Sequence, residues 1–384
     1  MLRHPRLLNL PKLLENKSFF LFGARATGKS SLIDAQLRGA QIFNLLDSEV
    51  FNDLLRRPKI LEEAARAVSP DGIVVIDEIQ KLPTLLDEVH RTLAKGGARF
   101  LLTGSSARRL RRGGANLLAG RAWQAELFPL CSQEIKDFDL LTYLNSGGLP
   151  AIYGRGSLIR EELRSYVGTY LKEEIQAESL TRNLPAFASF LDALALANGQ
   201  EINYESLASD CGVSPVTLKS YISILEDTLI GFSLPGFTKT KKRKAITRAK
   251  HYMFDIGVVN QLTNRGEIKE RSEIFGYAFE HFVVLEVRAW NSYSRSYKPL
   301  TYWRSTSQHE VDLIIGDEMA IEIKATDLVQ DKHLKGLRAL KEEGLIRRYS
   351  VVSNDQIKRV TDDGITIYPW REFLAELWGS QGVS

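Results

Sequence analysis

The chain has 384 residues, 44% of them hydrophobic and 26% charged, with 51 Lys and Arg against 47 Asp and Glu for a formal net charge of +4. Two or three domains of ordinary soluble composition are expected, each long enough to bury a core. Apolar runs such as Gly72–Ile76 stop within a strand's length, which excludes a membrane-spanning class, and Cys131 and Cys211, far apart and without a Cys-x-x-Cys pair or a His cluster, exclude a disulfide framework or a zinc site.

The basic start, Met1 to Arg6, is followed by no signal-type apolar region, so cytoplasmic residence is expected. Phe19-Phe20-Leu21-Phe22 then reads as a buried strand running into the loop Gly23-Ala24-Arg25-Ala26-Thr27-Gly28-Lys29-Ser30, with a helical pattern from Ser31 onward. The loop fits G-x-x-x-x-G-K-[ST], the P-loop. Gly23 and Gly28 let backbone N–H groups wrap a phosphate, Lys29 adds a point charge at the outer phosphates, and Ser30 offers a hydroxyl to Mg²⁺. The N-terminus of the helix that follows adds its positive dipole end. ATP with Mg²⁺ is the expected cofactor pair.

Gln41–Leu45 reads as a second strand, and Asp47-Ser48-Glu49 opens a helical stretch that Pro58 interrupts. The apolar strand Ile73–Ile76 closes on Asp77-Glu78, a Walker B pattern: Asp77 would hold Mg²⁺ through water and Glu78 would orient and activate the attacking water. Arg99–Ser106 is another strand, whose carboxyl end would lie beside the nucleotide in a parallel sheet. Thr103 or Ser105 would then reach the γ-phosphate or the water. Arg108, Arg109, Arg111 and Arg112 form a basic cluster, and Arg121, just after Gly120, is the leading candidate for an arginine finger.

Taken together, residues 23–30, Ile-Asp-Glu-Ile-Gln-Lys-Leu-Pro at 76–83, Leu-Thr-Gly-Ser-Ser, Leu-Ala-Gly-Arg and Gly147-Gly148-Leu149-Pro150 resemble the bacterial and archaeal AAA+-type ATPases that carry a C-terminal domain of uncharacterised function. The resemblance spans essentially the whole chain. It implies an α/β protein with a P-loop AAA+-type ATPase core (1–155), a helical lid or linker (156–200), a winged helix (201–250) and a C-terminal restriction-endonuclease-like α/β domain (251–384). It also implies a homo-oligomer, a hexameric ring in which an arginine reaches the neighbour's nucleotide.

Residues 159–197 are helical in pattern, with Tyr166, Tyr170 and Ile175 in one segment, Phe187, Phe190, Leu191 and Leu194 in the next, and Pro185 between them. Aromatics at helical spacing read as core. Asn203–Leu225 forms a helix-turn-helix pattern, with Gly212 in the turn, Ser214 as N-cap and Pro215 at the first helical position. A strand at Leu229–Leu234 follows and leads into an acid-free stretch carrying Lys239, Lys241, Lys242, Arg243, Lys244, Arg248 and Lys250. That resembles a winged helix whose Thr217, Lys219 and Ser220 would face a DNA groove, with Lys241 to Lys244 in or beside the wing. The same module also serves protein contacts in ATPase assemblies, and that alternative stays open here.

In the last part of the chain a helix over 274–286 precedes strands at 301–304, 310–315 and 320–324. Asp312 and Glu322 lie on strands joined by a Gly316-Asp317 turn, and period two puts Glu322 and Lys324 on one face. This arrangement resembles restriction-endonuclease-like nucleases. By that resemblance Asp312 and Glu322 would hold Mg²⁺, Lys324 would steady the attacking water or the scissile phosphate, and Glu280 would be a supplementary acid. The main expectation is an ATP-hydrolysing machine that remodels or translocates DNA in its repair or processing, with no membrane partner. A Mg²⁺-dependent nuclease regulated by its ATPase, and an ATP-switched protein scaffold, are the alternatives.

Overall fold

The computed structural model describes residues 4–68, 72–106, 110, 118, 120–171 and 183–379. They fall into two units, Met1–Leu130 with Asp227–Ile230, and Cys131–Glu226 with Gly231–Val383.

In the first unit helix α1 (Leu10–Asn16) leads into β1 (Ser18–Phe22), followed by α2 (Lys29–Gln36), β2 (Gln41–Asn44), α3 (Ser48–Arg56), α4 (Ile60–Ala67), β3 (Ile73–Asp77), α5 (Leu85–Lys95), β4 (Arg99–Gly104) and β5 (Ala122–Glu126). The strands pair in parallel in the order β2-β3-β4-β1-β5. Strands β1, β3 and β4 are apolar and buried along almost their whole length, as a parallel sheet covered on both faces requires. Phe20, Phe22, Val74, Ile76, Phe100 and Leu102 pack in one core with Leu54, Leu61, Leu85 and Val89 of α3 to α5. Alternation turns Phe19 and Leu21 to the other face, and α1 packs against β1, β4 and α2. At the carboxyl edge Phe22 pairs with Gly104 and Ile76 with Leu102, so the loops leaving β1, β3 and β4 share one rim. Such a rim is where a parallel α/β sheet presents its binding groups.

The second unit begins with α6 (Leu140–Ser146) and α7 (Ile159–Ser165), which continues as a π-helical turn over Tyr166–Leu171. Then come α8 (Leu184–Leu196), β6 (Gln200–Glu201), α9 (Tyr204–Asp210), α10 (Pro215–Asp227), β7 (Gly231–Leu234) and β8 (Lys250–Met253). Tyr166, Phe187, Phe190, Leu191 and Leu194 are buried, while Ile175 lies outside the described residues. Pro185 stands in the first turn of α8, where its missing N–H costs no hydrogen bond, and Asn183 caps the helix. Helices α9 and α10 meet through a turn with Gly212 at φ 63°, and β6, β8 and β7 form an antiparallel sheet in that order.

The remainder comprises α11 (Ile256–Leu262), α12 (Glu273–Tyr293), β9 (Leu300–Arg304), β10 (Glu310–Ile315), β11 (Met319–Lys324), α13 (Lys335–Lys341), β12 (Arg348–Ser353), β13 (Arg359–Val360), β14 (Thr366–Pro369) and α14 (Trp370–Gly379). Its six strands run β13-β14-β12-β11-β10-β9. The β9-β10-β11 meander is antiparallel, while β11, β12 and β14 are parallel. Trp303, Val311, Ala320, Val351 and Ile367 form one core with Leu337 and Leu340 of α13. The basic stretch between β7 and β8 runs along the edge strand β9: Gly236 bridges Tyr302, Ala245 bridges Ser305, and Phe237 N–H donates to the Tyr302 carbonyl at 2.7 Å. Among the described residues no helix is long and apolar enough to cross a membrane.

Candidate functional sites

At the rim of the first sheet, the loop between β1 and α2 is shaped by its backbone. Ala26 (φ 66°) and Gly28 (φ 96°) take left-handed conformations, and a Cβ on Gly23 would stand 2.7 Å from the Leu127 carbonyl oxygen and 2.9 Å from Thr27 Oγ1. Thr27 Oγ1 donates to the Ala24 carbonyl (2.8 Å), which tightens the turn. Lys29 is buried, and its Nζ donates to the carbonyls of Gly23 (2.6 Å) and Ala24 (3.3 Å), inside the loop's concavity. Arg25, Ser30 and Ser31 are exposed at its rim. Arg6, which the sequence does not single out, donates to the carbonyls of Thr27 (2.7 Å) and Phe128 (2.6 Å) and so braces the loop against the end of β5.

Across this rim Ser30 Oγ donates to Asp77 Oδ2 at 3.0 Å, and Thr103 Oγ1 donates to Asp77 Oδ1. The same Thr103 hydroxyl accepts from Glu78 N–H at 3.2 Å. Of the two hydroxyl candidates at the end of β4, Thr103 is therefore the one on the acidic pair. Ser105 instead accepts from Gln80 Nε2 at 3.3 Å, and Gln80 also donates to the Glu78 carboxylate. Glu78 has φ 62°, a costly conformation for a residue with a Cβ, of the kind that gathers where a side chain must be aimed. Gly104 makes room for Gln80, since a Cβ there would lie 2.5 Å from Gln80 Oε1, a buried atom with no hydrogen-bond partner. Thr103 is one of the two hydroxyls the sequence offers for this rim, whereas Gln80 was legible only as part of the motif at 76–83.

Arg121 stands elsewhere. It precedes β5, whose first residue, Ala122, pairs with Ser18 at the start of β1, so it lies at the amino edge of the sheet. The P-loop leaves the other end of β1, roughly 15 Å away along the strand. Arg121 NH1 contacts His90 Nε2 (2.9 Å) and the His90 carbonyl (3.1 Å) on α5. Arg108, Arg109, Arg111 and Arg112 lie outside the described residues.

The second cluster lies in the second unit. Leu313 pairs with Ile321 across β10 and β11, and one residue beyond that pair on each strand Asp312 and Glu322 are both buried, with Lys324 in reach of both. Asp312 Oδ2 accepts from Ile323 N–H (2.8 Å), and Lys324 Nζ lies 2.6 Å from Glu322 Oε1 and 3.5 Å from Asp312 Oδ2. A second ammonium enters from β8. Lys250, itself buried, sets its Nζ 2.7 Å from Glu310, 3.3 Å from Glu280 and 3.8 Å from Asp312. Tyr252, two residues on and on the same face, donates its hydroxyl to Glu280 at 2.7 Å.

Burial, with Asp312 beside it, pushes the Glu322 carboxyl well above the usual range; burial would raise Asp312 as well, but Lys324 and Lys250 outweigh it and hold that carboxyl below its ordinary value. Burial also raises Glu280, against the pull of Lys250. Among the described residues no three His, Cys, Asp or Glu side chains are gathered as a metal-ligand group. The Asp312–Glu322 pair still suits one cation, because Glu322 Oε2 is buried with no hydrogen-bond partner and two facing carboxylates want a positive charge between them. Glu310, two residues before Asp312, does not stand out in the sequence, and Lys250, at the head of the buried strand β8, stands out only as the last of the basic residues after β7 and not as a member of this cluster. Period two on β10 is the signal for the first; nothing local signals the second.

The basic stretch is anchored by its own chain. The Glu343 carboxylate accepts from the backbone N–H groups of Lys241 (2.8 Å), Lys242 (3.0 Å) and Arg243 (3.0 Å). Lys242 Nζ donates to the Glu342 carbonyl (2.6 Å), and Arg243 pairs with the Glu342 carboxylate (2.7 Å) and reaches the Ala339 carbonyl (2.9 Å). Lys241 and Lys244 are exposed, as is Lys219 on α10, whose ammonium sits 5.7 Å from the Tyr204 ring centre.

Comparison with known proteins adds the following. Residues 15–136 match a family model described as an AAA domain. Residues 137–269 and 275–373 match two further models, each described as a domain of unknown function. An uncharacterized protein of Methanocaldococcus jannaschii is 23% identical over 92% of this chain and 86% of its own length. Among solved structures, the Aeropyrum pernix ORC1 protein in complex with DNA aligns with a TM-score of 0.27 at 14% identity, over 67% of this chain and 90% of that one. A Pyrococcus horikoshii signal transduction ATPase with a tetratricopeptide repeat sensor aligns at 0.23 and 16% identity, over 75% of this chain and 48% of that one.

Proposed function

We propose that the AAA-type P-loop ATPase core formed by residues 15–136 couples ATP hydrolysis to work on DNA performed by the rest of the chain. The observation that carries the ATPase half is the meeting of Lys29, Ser30, Asp77, Glu78 and Thr103 at one rim of a parallel sheet. In this reading the backbone N–H groups from Ala24 to Ser31 hold the phosphates, and Lys29 exchanges the carbonyls it now contacts for phosphate oxygens. Ser30 and Asp77, already in contact, would hold Mg²⁺, which supplies neutralisation of charge on the phosphates. Thr103 fixes the Asp77 carboxylate. Glu78 takes the proton of the attacking water, and Gln80 holds it until substrate draws it forward. Arg121, far from its own P-loop, completes the site of a neighbouring subunit in a hexameric ring in the cytoplasm.

The DNA half is supported by the helix-turn-helix of α9 and α10 followed by the β7–β8 hairpin, which suits a winged helix, and by the exposed ammonium groups of Lys219, Lys241 and Lys244. The test is the ATPase rate with single-stranded, duplex and branched DNA. Stimulation by at least one form is expected, and a rate indifferent to all three would leave the ATPase without its DNA.

A second reading, a divalent-metal nuclease regulated by the ATPase, is favoured by the facing carboxylates of Asp312 and Glu322 with Lys324 beside them. There Asp312 and Glu322 would hold the cation, which stabilises charge on a scissile phosphate, while Lys324 positions the phosphate or the water. Cleavage of labelled DNA with Mg²⁺ or Mn²⁺, lost in Asp312→Asn, tests it.

A further inference from the structure

We propose that Lys250 is a built-in counter-cation of the Asp312–Glu322 site and competes there with a divalent metal ion, an inference that rests on the second reading above. The ammonium is buried among three carboxylates, nearest Glu310 at 2.7 Å, then Glu280 and Asp312 at 3.3 and 3.8 Å. It also stands 5.3 Å from the Tyr302 ring centre, so aromatic and anionic groups together hold it where no water shell could. On the other side of Asp312, Lys324 occupies Oδ2 and one oxygen of Glu322. Both Asp312 oxygens thus face a lysine, and the one oxygen left without a partner is Glu322 Oε2.

A dication on Asp312 would stand within a few ångströms of the Lys250 ammonium with little water between them, so their repulsion weakens metal binding while β8 is in place. The two lysines are not equivalent. Lys324 is carried on the same strand as Glu322 and moves with the site, whereas Lys250 is carried on β8 and directly follows the basic stretch 239–248. Withdrawal of β8 therefore removes one cation from the acids and leaves the other in position. In place, β8 thus holds a competing cation at the metal site, and it directly follows the basic loop on which a phosphate backbone would pull.

The test is a Mn²⁺ titration of the full chain without nucleotide, followed by electron paramagnetic resonance of the free ion. Wild type, Lys250→Met and Glu310→Gln are compared, each with and without Asp312→Asn. Lys250→Met is expected to lower the Mn²⁺ dissociation constant by roughly ten-fold or more, with Asp312→Asn abolishing the gain. Glu310→Gln removes the closest anchor of Lys250 from a half-exposed position and is expected to show part of the same gain; it decides the matter if Lys250→Met does not fold. Equal, Asp312-dependent binding in all three proteins would overturn the competition and leave the metal site standing. Absence of any Asp312-dependent binding, in variants and wild type alike, would overturn both.

Discussion

Glu286 on α12 is fully buried, its carboxylate accepting from Ser132 N–H (2.6 Å), Ser132 Oγ (3.0 Å) and Trp378 Nε1 (2.8 Å). Burial nevertheless outweighs these three donors and pushes the acid up to about 7 from an ordinary 4.5. A raised carboxyl contributes stability that is complete below its unfolded value and is lost as pH rises through the folded one. Glu286→Gln imitates the protonated acid, so its stability relative to wild type should climb by roughly 3 kcal/mol between pH 4.5 and 8. Urea unfolding across that range measures it, and parallel curves for the two proteins would refute the assignment. His251 and His281, both driven down to about 4 by burial, act in the opposite sense, with stability present above pH 6.5 and lost as pH falls toward 4. At the rim of the first sheet, Thr103 touches both Asp77 and Glu78 while Ser105 touches neither. Thr103→Val should therefore cut ATP turnover by about ten-fold or more and Ser105→Ala by much less, with nucleotide affinity nearly kept in both. A larger loss from Ser105→Ala in steady-state assays would reverse the ranking.

Among the elements, those with local signals were legible: the apolar strand into a glycine-bounded loop, the strand ending in Asp77-Glu78, Asn203 and Pro215 opening the two short helices, and alternation on β10 and β11. These are decided by neighbours in sequence, as caps, periodicity and turn residues are. The stretch 235–249 was not, because its conformation is fixed by partners far along the chain, β9 and the end of α13. The same distance hid Lys250. This anchoring alters what charge removal should do. Lys242 and Arg243 already spend their donors on Glu342 and backbone carbonyls, while Lys241 and Lys244 keep theirs toward solvent. Neutralising Lys241 and Lys244 should thus lower the log–log salt slope of duplex DNA binding by about one for each phosphate that either lysine pairs with. Neutralising Lys242 and Arg243 should chiefly loosen the loop and leave the slope nearly unchanged. Equal slope changes from the two pairs would place the loop's anchoring outside the binding event.

For the molecule as a whole, the position of Arg121 separates a single-chain ATPase from an assembled one. The register of β5 on β1 holds this arginine at the amino edge of the sheet while the P-loop occupies the carboxyl edge, and no rotamer of one side chain spans the strand between them. As a catalytic group it would serve the P-loop of another copy, in a head-to-tail contact of the kind that closes into rings. Arg121→Ala should then bind nucleotide normally and lose hydrolysis by about a thousand-fold, as removal of a charge acting only in the transition state does. Lys29→Ala should fail at the phosphates instead. In a random equal mixture of the two inactive proteins, about a quarter of the interfaces would join an intact P-loop to an intact Arg121, and activity should recover in that proportion. The measurement is ATP turnover against mixing ratio after subunit exchange, with each variant alone as baseline. Recovery peaking near the equal mixture assigns Arg121 to the neighbour's nucleotide. A flat line in well-exchanged assemblies returns it to its contact with His90 on α5, as a strut between that helix and the start of β5.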